Sequence, residues 1–384
     1  MEGTMRNRAL AGSAGGVAGA AVGLPAFYLA RRLRYEGFDP GKDRKPPPLD
    51  LQVTAVSDET VTLRRATRTP DLAASEPGHF LLQGARGWGY AGRVIDSNGL
   101  IAIREFRHGG GDLRAGDYLR LDSFAHPSDP REALGLAFEH VRFNSPLGSF
   151  PAWYVPGSSS TWAIMTHGKG ADRREALRMI PALAESGLHC LAITYRNDLG
   201  VPASPNGLYS YGRDEWEELD GAVAFARARG ASDIVLVGYS MGGAITLSFM
   251  AKSANSPAVS ALILDAPMSN LAPTVEHGAR RAGLPIWFLG ISNRLAALRY
   301  GFNWTDFDYL KTLPNLQVPV LLFHGDADAT VPVELSDAFA ARRPDLVRYV
   351  RVPGTGHVRA WNTDPAGYEL AVREFVRTRR SVRT

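Results

Sequence analysis

Apolar and polar positions change rhythm along this chain, and each rhythm predicts a different kind of structure. From Ala9 to Ala30 there is no charged residue, a run long enough at 1.5 Å per residue to cross a hydrocarbon core of about 30 Å. From Leu51 the pattern becomes the short alternation of strands. Leu51, Val53 and Ala55 alternate with Gln52 and Thr54, and Val61 and Leu63 with Thr62 and Arg64, while Ser57-Asp58-Glu59 supplies a turn. That predicts a hairpin. Further runs at His79–Gln83, Trp88–Ile95, Leu100–Phe106 and Tyr118–Leu121 are separated by turn chemistry, most clearly Asn98-Gly99, whose two residues accept positive φ. Residues 51–125 are expected to form a small all-β unit. Gly109–Gly111 reads as a loop within it, without the strand-to-helix context of a phosphate cradle.

From about Ala137 strands alternate with helical stretches, the signal for an α/β fold with a mostly parallel sheet and helices on both faces. The run Trp162–Thr166 ends in His167-Gly168, and a helix of period 3.6 follows through Ala176, Ile180, Leu183 and Ala184. Next come a strand at Cys190–Tyr195, a helix through Trp216, Leu219, Val223 and Phe225, and a strand at Ile234–Gly238. This last strand leads into Gly238-Tyr239-Ser240-Met241-Gly242-Gly243 and the apolar helix Ala244–Met250. A strained strand-to-helix turn lifts a serine hydroxyl clear of a sheet, and the helix start places N–H groups and a positive dipole end beside it. Two later strands, Val320–Phe323 and Val347–Val352, run into His324-Gly325-Asp326-Ala327-Asp328 and Pro353-Gly354-Thr355-Gly356-His357.

Over about residues 137–384 these motifs resemble the α/β-hydrolase superfamily, in particular its esterase, acyl-peptidase and prolyl-oligopeptidase-like branches. The resemblance implies a catalytic triad in the order Ser240, Asp328, His357, with Asp328 preferred to Asp326, which is suited to bonding loop amides, and to Asp265 at the end of another strand. His324 is expected to be structural. The resemblance also implies a backbone oxyanion hole from Met241 and from Lys169 in the loop Thr166-His167-Gly168-Lys169-Gly170, with His167 bracing that loop; a plain glycine turn is the alternative there. The implied enzyme is a serine hydrolase cleaving an ester, amide or thioester of a hydrophobic acyl group through an acyl-enzyme on Ser240. A serine aminopeptidase or acyl-peptidase is one alternative, and a non-catalytic binding module of the same fold is another. The mechanism requires no metal or organic cofactor.

Between Asp265 and Val318 lies an aromatic-rich insertion, expected as a helical cap over about residues 271–315. Trp287, Phe288 and Trp304, with Tyr300 and Phe302, are expected to line an apolar substrate pocket, core packing being the alternative. Tyr239 beside the nucleophile and Asn197 in the loop Tyr195-Arg196-Asn197-Asp198 are further candidates for substrate contact, a simple turn being the alternative for that loop.

Composition narrows the rest. The chain has 384 residues, an apolar fraction of 45% and a charged fraction of 21%, which suits one large domain with an appendage. A net charge of +4 without aromatic-basic interleaving gives no ground for a nucleic-acid partner. The single cysteine, Cys190, excludes an internal disulfide and is expected in the core. Residues 1–35 are read as an N-terminal membrane anchor through residues 9–30, with a cleavable signal segment as the alternative. Phe27, Tyr28, Leu29, Arg31 and Arg32 make an interface belt where a cleavage site would stand. Basic residues after the segment outnumber Arg6 and Arg8 before it, which leans toward a cytoplasmic catalytic domain, an extracytoplasmic one remaining open. Residues 36–50, with KDRKPPP, read as a linker.

Overall fold

A computed structural model describes residues 31, 34–43, 48–67, 73–284, 290, 293–294, 297 and 301–381. The uncharged run 9–30, most of the linker motif and the cap residues Trp287, Phe288 and Tyr300 lie outside the described residues. Among the described residues no helix is long and apolar enough to cross a membrane.

Six strands form a closed barrel: β1 (Leu51–Val56), β2 (Thr60–Arg65), β3 (Phe80–Gly84), β4 (Gly87–Ser97), β5 (Ile101–Gly111) and β6 (Tyr118–Asp122), in the order β1-β2-β5-β4-β3-β6. Leu51, Val53, Leu63, Phe80, Leu82, Ala102 and Leu119 fill its interior. The Asn98-Gly99 turn forms with only Gly99 at positive φ, 82°, while Asn98 Oδ1 accepts from the N–H groups of Leu100 at 3.1 Å and Ile101 at 2.9 Å. Two details differ from the alternation. A bulge between Val53 and Ala55 shifts the phase, so Ala55 is exposed and Val56 packs toward the core. Gly109–Gly111 is the end of β5 rather than a loop, because the Trp88 ring lies where a Cβ on Gly109 would stand, 2.1 Å away.

The remainder is an eight-stranded sheet in the order β14-β13-β12-β11-β9-β10-β8-β7. Its members are β7 (Glu139–Ser145), β8 (Gly148–Val155), β9 (Thr161–Thr166), β10 (His189–Ile193), β11 (Asp233–Tyr239), β12 (Val259–Asp265), β13 (Val320–Gly325) and β14 (Val347–Val352). All pairs from β10 through β14 are parallel, and the β7–β8 hairpin adds antiparallel strands at the β10 edge. Successive strand residues point to opposite faces. Ile164, Leu191, Leu236 and Leu262 therefore meet helices Trp216–Ala228 and Met241–Lys252, while Met165, Cys190, Val237 and Ile263 meet helices Ile180–Glu185 and Pro365–Ser381. The helix expected through Ala176 and Ile180 is two pieces, a 3-10 turn at Arg173–Arg178 and a short α-helix from Ile180, where Pro181 in the first turn has no N–H to continue the earlier one.

Two segments, residues 36–38 and the barrel, are tied to the α/β sheet. Residues 36–38 are not a spacer: Phe38 is buried against Tyr211 and Phe302, with ring centroids 5.3 and 5.2 Å away, and its carbonyl accepts the Tyr209 N–H at 2.8 Å. The barrel docks through Asn362, whose Nδ2 donates to the carbonyls of His79 at 2.7 Å and Ser123 at 2.9 Å, and through an ion pair between Arg174 and Asp122 at 3.2 Å.

Candidate active site

The site grows from the turn after β11. Ser240 sits at φ 48° and ψ −113°, a strained conformation for a residue with a Cβ. The turn is held by the Ser240 N–H donating to the Asp265 carbonyl at 3.0 Å and the Met268 N–H donating to the Ser240 carbonyl at 2.9 Å. Two glycines make room for it. A Cβ on Gly238 would lie 2.6 Å from the Gly242 carbonyl oxygen, and one on Gly242 would lie 2.1 Å from the Thr166 carbonyl oxygen. The spacing Gly238-x-Ser240-x-Gly242 is thus a packing requirement of the turn against β9. Met241 opens the helix Met241–Lys252, so its N–H has no intrahelical acceptor.

Loops at the same end of the sheet bring the other groups in. His357 Nε2 is 2.8 Å from Ser240 Oγ, and His357 Nδ1 is 2.6 Å from Asp328 Oδ2. Asp328 Oδ1 accepts from the backbone N–H of Thr330 at 2.7 Å and of Val331 at 2.9 Å, while Oδ2 also meets His324 Nε2 at 3.1 Å. Burial would raise the Asp328 pKa, but the facing His357 and the hydrogen bonds from His324 and His357 hold the carboxyl well below the usual carboxylate range. Asp326 accepts the Gly354 N–H at 2.7 Å and so joins the acid loop to the histidine loop. Asp265 faces Tyr368, whose hydroxyl donates to it at 3.2 Å, and burial raises its pKa to about 6. Of the three aspartates, Asp328 is the one bonded to His357.

The loop after β9 lies against the serine: a Cβ on Gly168 would stand 3.1 Å from Ser240 Cβ, and Lys169 follows. This loop is braced from several directions. Glu175 Oε2 accepts the Gly168 N–H at 2.7 Å, and the Tyr195 hydroxyl donates to the Gly168 carbonyl at 2.9 Å. His167 stacks on Tyr195 with centroids 4.4 Å apart, its Nε2 2.9 Å from Asp198 Oδ2 and its Nδ1 2.9 Å from the Gly168 carbonyl oxygen. Burial lowers the pKa of His167, but Asp198 and the Gly168 carbonyl outweigh it and raise the value to about 9. The Lys169 side chain turns away, Nζ donating to the Glu36 carbonyl at 3.3 Å.

A buried strut links this loop to the histidine loop. Glu175 pairs with Arg178 at 3.4 Å, and Arg178 Nη1 donates to the Val358 carbonyl at 2.7 Å and to Asn362 Oδ1 at 3.0 Å. Neither Glu175 nor Arg178 is singled out by motif reading. The signal available was two charges three residues apart, just after His-Gly-Lys-Gly, in a stretch otherwise on an apolar helical period.

Three expected pocket residues do not stand where the sequence suggested. Tyr239 is buried on the Cys190 face of the sheet, under the Arg178 guanidinium at 5.6 Å. Asn197 is buried because its loop folds inward: its amide donates to the Leu208 carbonyl at 3.0 Å and accepts the Ser204 N–H at 3.0 Å. Trp304 packs edge-on against Phe302 at 5.1 Å and donates Nε1 to the Asn293 carbonyl at 3.0 Å, in the cluster around Phe38. Trp287 and Phe288 lie outside the described residues. Among the described residues no group of three or more His, Cys, Asp or Glu is arranged to hold a metal ion.

Comparison with known proteins places the fold. Two uncharacterized proteins from two strains of Mycobacterium tuberculosis are each 30% identical over 211 residues, covering 53% of this chain and 66% of their own length. The chain thus spans just under two thirds of these relatives. An esterase from Pyrococcus furiosus has the same fold with a TM-score of 0.53 at 20% identity, over 66% of this chain and 96% of that one. The model of the alpha/beta hydrolase family matches residues 154–369, more than half of the sequence, and the chain belongs to that family.

Proposed function

We propose that this protein is a serine hydrolase that cleaves esters of hydrophobic acyl groups through an acyl-enzyme on Ser240. The observation that carries the reading is the continuous hydrogen-bonded line from Ser240 Oγ through His357 to Asp328. His357 Nε2 takes the serine proton as Oγ attacks the acyl carbonyl, while Asp328 holds the Nδ1–H tautomer and steadies the imidazolium. The oxyanion is met by the N–H groups of Met241 and Lys169. His357 returns the proton to the leaving oxygen, and water, activated by the same imidazole, releases the acid. The aromatic-rich composition of residues 271–315 supports an apolar acyl group.

Treatment with a fluorophosphonate tests this directly. Labelling is expected on Ser240 by peptide mass spectrometry and is lost in Ser240→Ala; labelling that persists in that variant removes Ser240 as nucleophile. An unlabelled wild type favours a binding module. Rates on a panel of acyl esters and aminoacyl amides separate esterase from peptidase. Tethering through residues 9–30, with the catalytic domain on the cytoplasmic side, belongs to the same proposal, and alkaline extraction of membranes with protease protection checks it.

A further inference from the structure

His324 stands at the end of β13 with its side chain fully buried, and the turn Gly325-Asp326-Ala327 brings Asp328 back beside it. Its Nε2 lies 3.1 Å from Asp328 Oδ2 and 3.1 Å from the Val331 carbonyl oxygen. Despite burial, the facing His357 and the hydrogen bonds from both histidines hold Asp328 as a carboxylate. Both partners of Nε2 therefore only accept, and this nitrogen carries a proton. On the other side Nδ1 is 2.6 Å from Ser336 Oγ, in the helix Glu334–Arg342. Turning the ring over would break buried hydrogen bonds at both nitrogens.

Five side chains thus form one line, Ser336, His324, Asp328, His357 and Ser240, with the carboxylate in the middle and a histidine and a serine on each side. The two halves differ in access. Ser336 is fully buried, so its half acts only through Asp328. An ionised carboxylate offers about four acceptor positions. Asp328 Oδ1 accepts from the N–H groups of Thr330 and Val331, Oδ2 accepts from His357, and His324 fills the fourth position. That last donor fixes the rotation of the carboxylate and draws charge from the oxygen that faces His357.

We infer that His324, locked by Ser336, is a positioning residue for the proposed triad: it aims Asp328 Oδ2 at His357 and moderates how strongly the carboxylate retains the imidazolium proton. The inference rests on Ser240 acting as the nucleophile. The other charged groups near the line have partners of their own and are common to every variant compared below. Asp265, ending β12, bonds Tyr368, and Asp326 bonds the Gly354 N–H. Arg351, opposite His324 in register on β14, pairs with Asp337 at 3.1 Å, and Arg359, two residues beyond His357, pairs with Glu76.

The dependence of kcat/KM on pH, measured with the full chain and a p-nitrophenyl acyl ester, tests this. In His324→Leu the fourth donor is gone and Asp328 holds the His357 proton more tightly, so the acidic limb is expected to move to higher pH by about half a unit or more. On the plateau kcat is expected to fall about tenfold with KM within about twofold, because the lost alignment is felt in the transition state. His324→Gln keeps an N–H donor and should return the limb to within about 0.2 unit of the wild type. Ser336→Ala frees the ring and should move the limb in the same direction by less than His324→Leu does. An unmoved limb in His324→Leu, or a His324→Gln limb displaced as far, overturns the inference; should His324→Leu not fold, an unmoved limb in Ser336→Ala does so. An inactive wild type removes the triad reading and this inference together, whereas an active wild type with unmoved variants removes this inference alone.

Discussion

Two of the histidine–aspartate pairs at the strand ends of this sheet make the same contact with carboxylate but differ on the far side of the ring. His357 meets Asp328 through Nδ1 at 2.6 Å, and His167 meets Asp198 through Nε2 at 2.9 Å. The difference lies on the other ring nitrogen. For His357 the partner is the Ser240 hydroxyl, which can donate, so the ring can be neutral and receive a proton. For His167 it is the Gly168 carbonyl, which can only accept, so both nitrogens carry hydrogen and the ring is held charged. The His357 side chain is 20% exposed and that of His167 2%. A carboxylate beside a histidine does not by itself mark a catalytic base; the third partner decides between base and brace.

Exchanging each histidine for glutamine tests that distinction most severely. His357→Gln is expected to lower kcat/KM on a p-nitrophenyl acyl ester by ~10⁴-fold or more. His167→Gln is expected to lower it by only ~10–100-fold, chiefly in kcat, by loosening the loop that carries the proposed oxyanion amide of Lys169. Equal losses would erase the contrast.

The strut between the two regions gives the next effect. Arg178→Met leaves Glu175 as a buried, unpaired carboxylate and is expected to destabilise the protein by about 3–5 kcal/mol in urea unfolding. Glu175→Met/Arg178→Met together should recover much of that loss, and a double variant as unstable as the single one argues against the strut.

pH separates the histidines further. The folded pKa of His167, about 9, lies above its ordinary value of 6.5. The stability it contributes is therefore complete below about pH 6.5 and is lost as pH rises through 9, by up to roughly 3 kcal/mol. Thermal unfolding between about pH 6 and 10 should show this decline, and His167→Gln should flatten it. The smallest effect belongs to Lys169→Ala, at less than about twofold in kcat/KM, because the oxyanion assignment uses its backbone amide alone. A tenfold loss there would assign the side chain a role in the reaction.

The turn at Ser240 is legible in the sequence because its demands are local: a strand, a helix, and glycines wherever a Cβ would strike a carbonyl. Asp328 and His357 stand in loops that follow apolar strands, so resemblance and spacing together reach them. Other features are not local. Alternation says that Leu51 faces inward but not that it pairs with Leu119 to close the barrel. Asn197 looks like a rim residue until Ser204 and Leu208 fold back onto its amide. Gly109 reads as a loop until Trp88 occupies the space of its missing side chain. The strut is hidden because an Arg and a Glu on a helical turn look solvent-facing until three loops enclose them.

Asn362 sets an order on the birth of the active site. Its amide reaches back to His79, across a separation of 283 residues, and it lies five positions beyond His357. The barrel leaves the ribosome long before the segment that will dock against it, and domains tend to fold as they emerge. The finished barrel is then a template waiting for the histidine loop, and Ser240 meets His357 only after that later segment has been made. On the proposed mechanism, a chain that stops before His357 carries the Ser240 turn without its histidine partner and is expected to be inactive.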